Sequence, residues 1–510
     1  MTDAPESATP ALAERAADTT AVIVGGGIAG LVVALEFAKI GMRVSVLETS
    51  ERPGGAIRTA EVAGVQLDVG AESFAVRGGS VRALIDELGL ADGVVSPAGG
   101  GAWIAGLPAG GAAPIPAGGV LGIPSNPWAP DVRRVIGMRG AWRAYLDRLR
   151  PVLTIGHRHS LGELVRSRLG ARVLDRLVAP VVTGVYSARP DDIDVDTAAP
   201  GLNAALTRAG SLTGGVAQLL ADRPAGAKPG SAVQGLRGGM GTLVEALVAR
   251  LAELGVEVQT GTRVTSVARV GEEWRIETDA AGDEASTRSH EFRADVVVIA
   301  TDEGSARRLL SATLPAAADA PQPRVDIVTL VVDAPALDAA PRGTGVLTVP
   351  GAFTAKALTH STVKWPWLAD ALETGSRSRH AVRVSFGAQG EAPATAEMSD
   401  ADAAALALAE ASALLGVTLA PDALVDAHVA RYAQSQPASV IGHGERVEAA
   451  RRAVHATPGL GVVGAWLAGT GLAQVVPDAV AEAERLRRGV LFGRGARPAR
   501  ATRAVSRATI

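Results

Sequence analysis

The feature that most constrains this chain is the stretch over residues 20–58. Ala21-Val22-Ile23-Val24 reads as a short buried strand, and Gly25-Gly26-Gly27-Ile28-Ala29-Gly30 follows it without a spacer. Apolar residues at helical spacing come next (Leu31, Leu35, Ala38). Arg43-Val44-Ser45-Val46-Leu47 then reads as a second strand, closed by Glu48 and Thr49. Strand, glycine turn, helix and acid-ended strand, in that order, bind an adenine dinucleotide. Gly25 permits the turn, Gly27 lets backbone approach the pyrophosphate, and Gly30 lets helix and strand pack closely. The helix start offers unpaired N–H groups to the phosphates, and Glu48 is placed to accept from ribose hydroxyls.

Arg52-Pro53-Gly54-Gly55 follows, with Arg58 just beyond. The glycine-pair loop after the ribose acid resembles the flavoprotein extension in which more backbone and an arginine close over the phosphates. That points to FAD, with NAD(P) as the alternative.

At 510 residues the chain exceeds one core and predicts two or three domains. A net charge of −3 argues against nucleic acid as a partner. The absence of cysteine excludes disulfides, thiolate metal sites and a thioether-tethered flavin. No metal site is read, because His157 and His159 lack further ligands around them. Residues 1–19 carry Asp3, Glu6, Glu14 and Asp18 and no apolar core of a secretion signal, so they read as a disordered tail. No run approaches the roughly 18 apolar residues of a membrane span. The expectation is a cytoplasmic protein, with peripheral membrane contact left open.

The pattern predicts an α/β protein, α+β overall. A discontinuous Rossmann-like FAD-binding domain comprises residues 20–90, 231–312 and 456–492. Residues 91–230 read as a helical and loop subdomain on the substrate side, with 205–232 loop-like. Residues 313–455 read as an inserted substrate-binding domain with a mixed sheet. Residues 493–510 read as a second disordered tail. It continues a basic series that starts at Arg485, Arg487 and Arg488.

Several segments carry a resemblance. Asp68-Val69-Gly70-Ala71-Glu72-Ser73-Phe74 follows the second glycine pair, and Gly122-Ile123-Pro124-Ser125 lies further on. Leu177-Val178-Ala179-Pro180-Val181-Val182-Thr183-Gly184-Val185-Tyr186 is the most specific, since a generic FAD fold has no reason to contain it. Arg168-Leu169-Gly170, Gly235-Leu236-Arg237-Gly238-Gly239-Met240-Gly241, Gly345-Val346-Leu347, Lys364-Trp365-Pro366 and Gly442-His443 complete the set. Together they resemble the protoporphyrinogen/coproporphyrinogen oxidase family, within the amine-oxidase-like flavoproteins, over residues 20–490.

The resemblance implies a six-electron, oxygen-dependent oxidation of coproporphyrinogen III to coproporphyrin III in heme biosynthesis, with release of hydrogen peroxide. It assigns the bond-breaking step to flavin N5, so no side chain is singled out as catalytic. It implies FAD contacts at Gly25, Gly26, Gly27, Ile28, Ala29, Gly30, Glu48, Thr49, Arg52, Gly54 and Gly55. Gly70, Ala71, Glu72 and Ser73 would lie beside the flavin ring, and Val264 at the adenine end. Gly469, Thr470, Gly471, Leu472 and Ala473 open the last helix, whose positive end favours charge on the reduced ring. Tyr432 stands where the family has a tryptophan, and the following residues 433–439 depart from its pattern. Four propionates on the substrate call for cations, and Arg77, Lys356 and Lys364 are the candidates. Partners implied are the porphyrinogen, oxygen and a downstream ferrochelatase. Protoporphyrinogen IX is the alternative substrate. A flavin amine oxidase, a carotenoid desaturase and a non-catalytic flavin or porphyrin carrier are more distant alternatives.

Overall fold

The computed structural model describes residues 8–151, 160–222, 232–279, 290–315, 324–373, 378–388, 390–432, 440–469 and 471–492. Its centre is a five-stranded parallel sheet drawn from three distant parts of the chain. The order is Glu257–Gln259, Arg43–Leu47, Thr20–Val24, Val296–Ile299 and Leu460–Val462. Every residue of Val296–Ile299 is buried, which is why that strand reads as an unbroken apolar run. Helix Ile28–Ala38 lies on one face, against Gly241–Glu253 and Leu472–Phe492. The other face is covered by the antiparallel strands Val264–Val270, Glu273–Thr278 and His290–Ala294, with Trp274 and Ile276 in the shared core.

A second sheet has seven strands in mixed orientation. The order is Leu424–Tyr432, Val325–Asp333, Arg379–Phe386, Ala355–His360, Gly345–Thr348, Ala102–Leu107 and Gly111–Pro114. Gly345–Thr348 and Ala102–Leu107 run parallel and the other pairs antiparallel. Helix Asp400–Leu415 buries Ala403, Ala407, Ala411 and Leu414 against Val328, Leu330, Val382 and Val384 on one face. Residues alternate in a strand, so Val331 and Ala381 face the other way, onto Trp365, Leu368 and the hairpin Thr59–Val62/Val65–Asp68. The α/β class with a mixed second sheet is therefore as the sequence predicts.

Helices Pro130–Tyr145, Leu161–Leu169, Ala179–Tyr186, Leu202–Ala209 and Leu212–Ala221 form a third core. Pro180 has no N–H to give its helix, and the preceding turn Leu174–Val178 widens to a π-helix. Asp147 fastens this layer: fully buried, it accepts from Arg168 at 2.9 Å and from the Leu212 N–H at 2.5 Å.

Three expectations need correction. The loop-like reading of 205–232 fails over Leu202–Ala209 and Leu212–Ala221. Ser211 caps the second helix, and a Cβ on Gly215 would stand 2.8 Å from the Leu206 backbone nitrogen, so glycine there serves close helix contact. The tail 1–19 is helical over Ala8–Asp18, with Ala16 buried and Arg15 donating to the Leu491 carbonyl at 2.6 Å. Arg485, Arg487 and Arg488 belong to helix Leu472–Phe492 and pair with Glu482, Glu36 and Glu484. Residues 493–510, His157, His159 and residues 433–439 lie outside the described residues. Among the described residues, no helix is long and apolar enough to cross a membrane.

Replacing Arg168 by Met strands the Asp147 carboxylate in the helical core. Such a change costs about 3–5 kcal/mol. Thermal denaturation should show a clearly lowered Tm, and Asp147→Asn in the same chain should recover part of it.

Candidate functional site

The glycine turn leaves strand Thr20–Val24 with Gly25 at φ +108°, and the Gly25 N–H donates to the Leu47 carbonyl at 2.8 Å. A Cβ on Gly30 would sit 2.1 Å from the Gly25 carbonyl oxygen and 3.1 Å from Ala300 Cβ, so only hydrogen fits between helix and strand. Gly27 is different. A Cβ there would meet nothing closer than Gly55 Cα at 3.9 Å, and the helix starts beside it without a side-chain cap. This combination of open space and uncapped N–H groups is what a phosphate requires.

The second glycine pair closes on the first. The Gly54 N–H donates to the Gly26 carbonyl at 2.8 Å, while Gly54 and Gly55 have φ of +123° and +62°. Arg52, next to them, is exposed, and Thr49 lies exposed at the end of its strand. Glu48 accepts from the Gly26 N–H and the Ser50 N–H, each at 2.7 Å. Each oxygen keeps a lone pair for a ribose hydroxyl.

Residues 70–73 pass beside this cradle. The Ala71 N–H donates to the Ala56 carbonyl at 2.9 Å, and a Cβ on Gly70 would fall 2.2 Å from that same oxygen. Tyr432 Oη donates to the Val69 carbonyl at 3.1 Å, with the Arg58 guanidinium 5.4 Å from its ring centre. Glu72 turns away into an ion cluster, where Lys364 Nζ stands at 2.6 Å and Arg383 Nη1 at 2.8 Å. Burial opposes its charge, yet these two cations hold its pKa down to about 2. Arg383 also donates to the Gly70 carbonyl. Asp68 behaves in the opposite way. Burial pushes it up to about 6, against the Met240 N–H that donates to both its oxygens at 3.0 and 2.8 Å. Gly239, at φ +91°, lies against this carboxylate, where a Cβ would be 2.9 Å from Oδ1.

The remaining candidates are spread more widely. Val264 is half-buried at the start of its strand, opposite Thr278. Gly469 and Gly471 have φ of +104° and +92°, and Leu472 and Ala473 begin the long last helix. Thr470 lies outside the described residues. Lys364, expected as a substrate cation, is committed to Glu72. Lys356 is buried and donates to Ser187 Oγ at 2.5 Å, with burial lowering its pKa to about 8. Arg77 is exposed and within electrostatic reach of Tyr186. Arg383 and Ser187 escaped the sequence reading. The available signal for Arg383 was an arginine inside the apolar strand Arg379–Phe386.

A profile of the family described as flavin containing amine oxidoreductase matches residues 28–486. The chain belongs to this family. It is a flavin-containing oxidoreductase, and the cradle above fits such a group, since Gly27 opens onto space that the uncapped helix start faces. The coproporphyrinogen III oxidase of Propionibacterium freudenreichii subsp. freudenreichii is 30% identical over 495 residues, covering 90% of this chain and 89% of that one. The coproporphyrinogen III oxidase of Bacillus subtilis is 28% identical over 477 residues, covering 90% and 95%. The crystal structure of an assumed protoporphyrinogen oxidase from Exiguobacterium sp. 255-15 superposes with a TM-score of 0.77 at 26% identity, over 93% of this chain and 98% of that one.

The glycines separate folding from flavin binding. Gly27→Val places its side chain in open space at an ordinary φ of −71°. The variant should keep its circular dichroism and purify without the yellow flavin absorbance. Gly30→Val should instead lose soluble protein. Acid lability should follow Glu72: its contribution to stability is present above its unfolded pKa of 4.5 and is lost as pH falls toward about 2. Asp68 has the reverse sign, its contribution being lost as pH rises from 3.8 through about 6. Melting curves of Glu72→Gln should therefore flatten below pH 4.5, and those of Asp68→Asn between 3.8 and 6.

Proposed function

We propose that this flavoprotein oxidises coproporphyrinogen III to coproporphyrin III in the cytoplasm, with FAD as cofactor and oxygen as final acceptor. The observation that carries the reading is similarity to coproporphyrinogen III oxidases along nine-tenths of the chain, with nearly the whole of those relatives covered in return. Bound flavin would supply the two-electron acceptor that each saturated methylene bridge requires. Loss of a hydride and a proton at about three bridges, matched by about three oxygen molecules reduced to peroxide, balances the six-electron change.

In this reading the chain contributes position. The glycine turn and the pair Gly54 and Gly55 hold the phosphates. Lys364 and Arg383 balance the carboxylates of Glu72 and Asp68 below residues 70–73, so the buried cluster fixes the backbone of that segment. Arg77 stands exposed by Tyr186 as a receptor for a substrate carboxylate. Lys356 acts behind it, gripping Ser187, whose φ of +52° ends helix Ala179–Tyr186 and sets the Tyr186 backbone. The Exiguobacterium structure favours a second reading, with protoporphyrinogen IX as substrate.

Aerobic porphyrin fluorescence with the two porphyrinogens in parallel tests this. Faster product from coproporphyrinogen III, at about three peroxides per porphyrin, is expected. Preference for protoporphyrinogen IX would move the assignment to the second reading, and no product from either would overturn both. Arg77→Ala should raise KM for coproporphyrinogen ~10-fold with kcat little changed, as loss of one charge-assisted hydrogen bond implies.

A further inference from the structure

Beneath residues 70–73 lies a cavity of about 20 Å³, walled by Asp68 and Glu72, by Thr329 and Arg383 of the seven-stranded sheet, and by Ser361, Trp365 and Trp367. Five polar atoms of these lining residues are buried without a hydrogen-bond partner: Thr329 Oγ1, Ser361 Oγ, Trp365 Nε1, Trp367 Nε1 and Arg383 Nε. Thr329, Ser361, Trp365 and Arg383 are each exposed by 7% or less. Buried polar atoms are almost always satisfied, so five unpaired around one cavity require an occupant.

The chemistry of the walls selects it. The two indoles and the guanidinium Nε can only donate, and the hydroxyls can do either. The carboxylates are already engaged, Glu72 by Lys364 and Arg383, and Asp68 by the Met240 N–H. The occupant must therefore accept at least three N–H bonds. One water accepts two. A small anion accepts more, but it would share the cavity with the carboxylates of Asp68 and Glu72. The volume admits about one or two waters, at roughly 10–15 Å³ each.

We propose that this cavity is a built-in site for two hydrogen-bonded water molecules. Between them they accept from Arg383 Nε and both indoles and donate to the hydroxyls and Asp68. Their role is positional. With Nε satisfied by water, Arg383 keeps its remaining N–H groups on Glu72 and on the Gly70 carbonyl, so the waters brace residues 70–73 from below. The site does not depend on which porphyrinogen is oxidised, and its test reads no turnover.

Crystals of the flavin-loaded protein, soaked in bromide, test the occupant. Two water-sized peaks without anomalous signal are expected. A bromide peak would make the site an anion site and overturn the proposal, as would an empty cavity. Thr329→Val gives an independent sign. In a hydrated site the variant removes a partner of the water, and Tm should fall by about 1–2 °C, with Thr329→Ser retaining the parent value. In a dry cavity the variant relieves an orphaned hydroxyl, so an unchanged or raised Tm would overturn the proposal.

Discussion

The carboxylate of Glu72 is the point on which the two sheets are hung together. It sits on the segment that leaves the nucleotide-binding unit, and it grips Lys364 and Arg383, which lie 292 and 311 residues further along the chain. Arg383 adds a bond to the Gly70 carbonyl, so backbone and side chain of one short segment are fixed by one strand of the other sheet. A buried charge with fixed partners has few alternative arrangements, because breaking one contact leaves another charge uncompensated. The relative placement of the cradle and the seven-stranded sheet therefore rests on this cluster. Hydrophobic packing at Trp365, Leu368 and Leu67 surrounds it without specifying the register as closely.

Local chemistry was legible in the sequence where one segment does a whole job. The turn at Gly25, Gly27 and Gly30, the strand ending at Glu48 and the apolar strand Val296–Ile299 each carry their own constraint. Residues whose role depends on a distant partner were not legible. Lys364 reads as a free cation until Glu72 is seen beside it, and Arg383 reads as an odd charge in a strand. Glycine also misled over Leu202–Ala209 and Leu212–Ala221, because Gly215 there serves helix contact and not a turn. The strands Ala102–Leu107 and Gly111–Pro114 hid among glycines and prolines and join the seven-stranded sheet through Gly345–Thr348, far along the chain.

Asp68 and Glu72 stand four residues apart and are driven in opposite directions. The difference is not burial, which raises both. Glu72 has two cations in contact, whereas Asp68 relies on a backbone N–H, with Arg383 further off and Glu72 opposing it. A site that performed proton abstraction would place a titratable group where substrate reaches it. Here the carboxylate nearest to neutrality is turned inward, against Gly239 and Met240, and the strongest acid is locked in ion pairs. The chain invests its buried charge in holding the backbone of residues 70–73 in place. That allocation suits a reaction whose electron transfer belongs to the flavin, and it suits poorly one that needs a protein base.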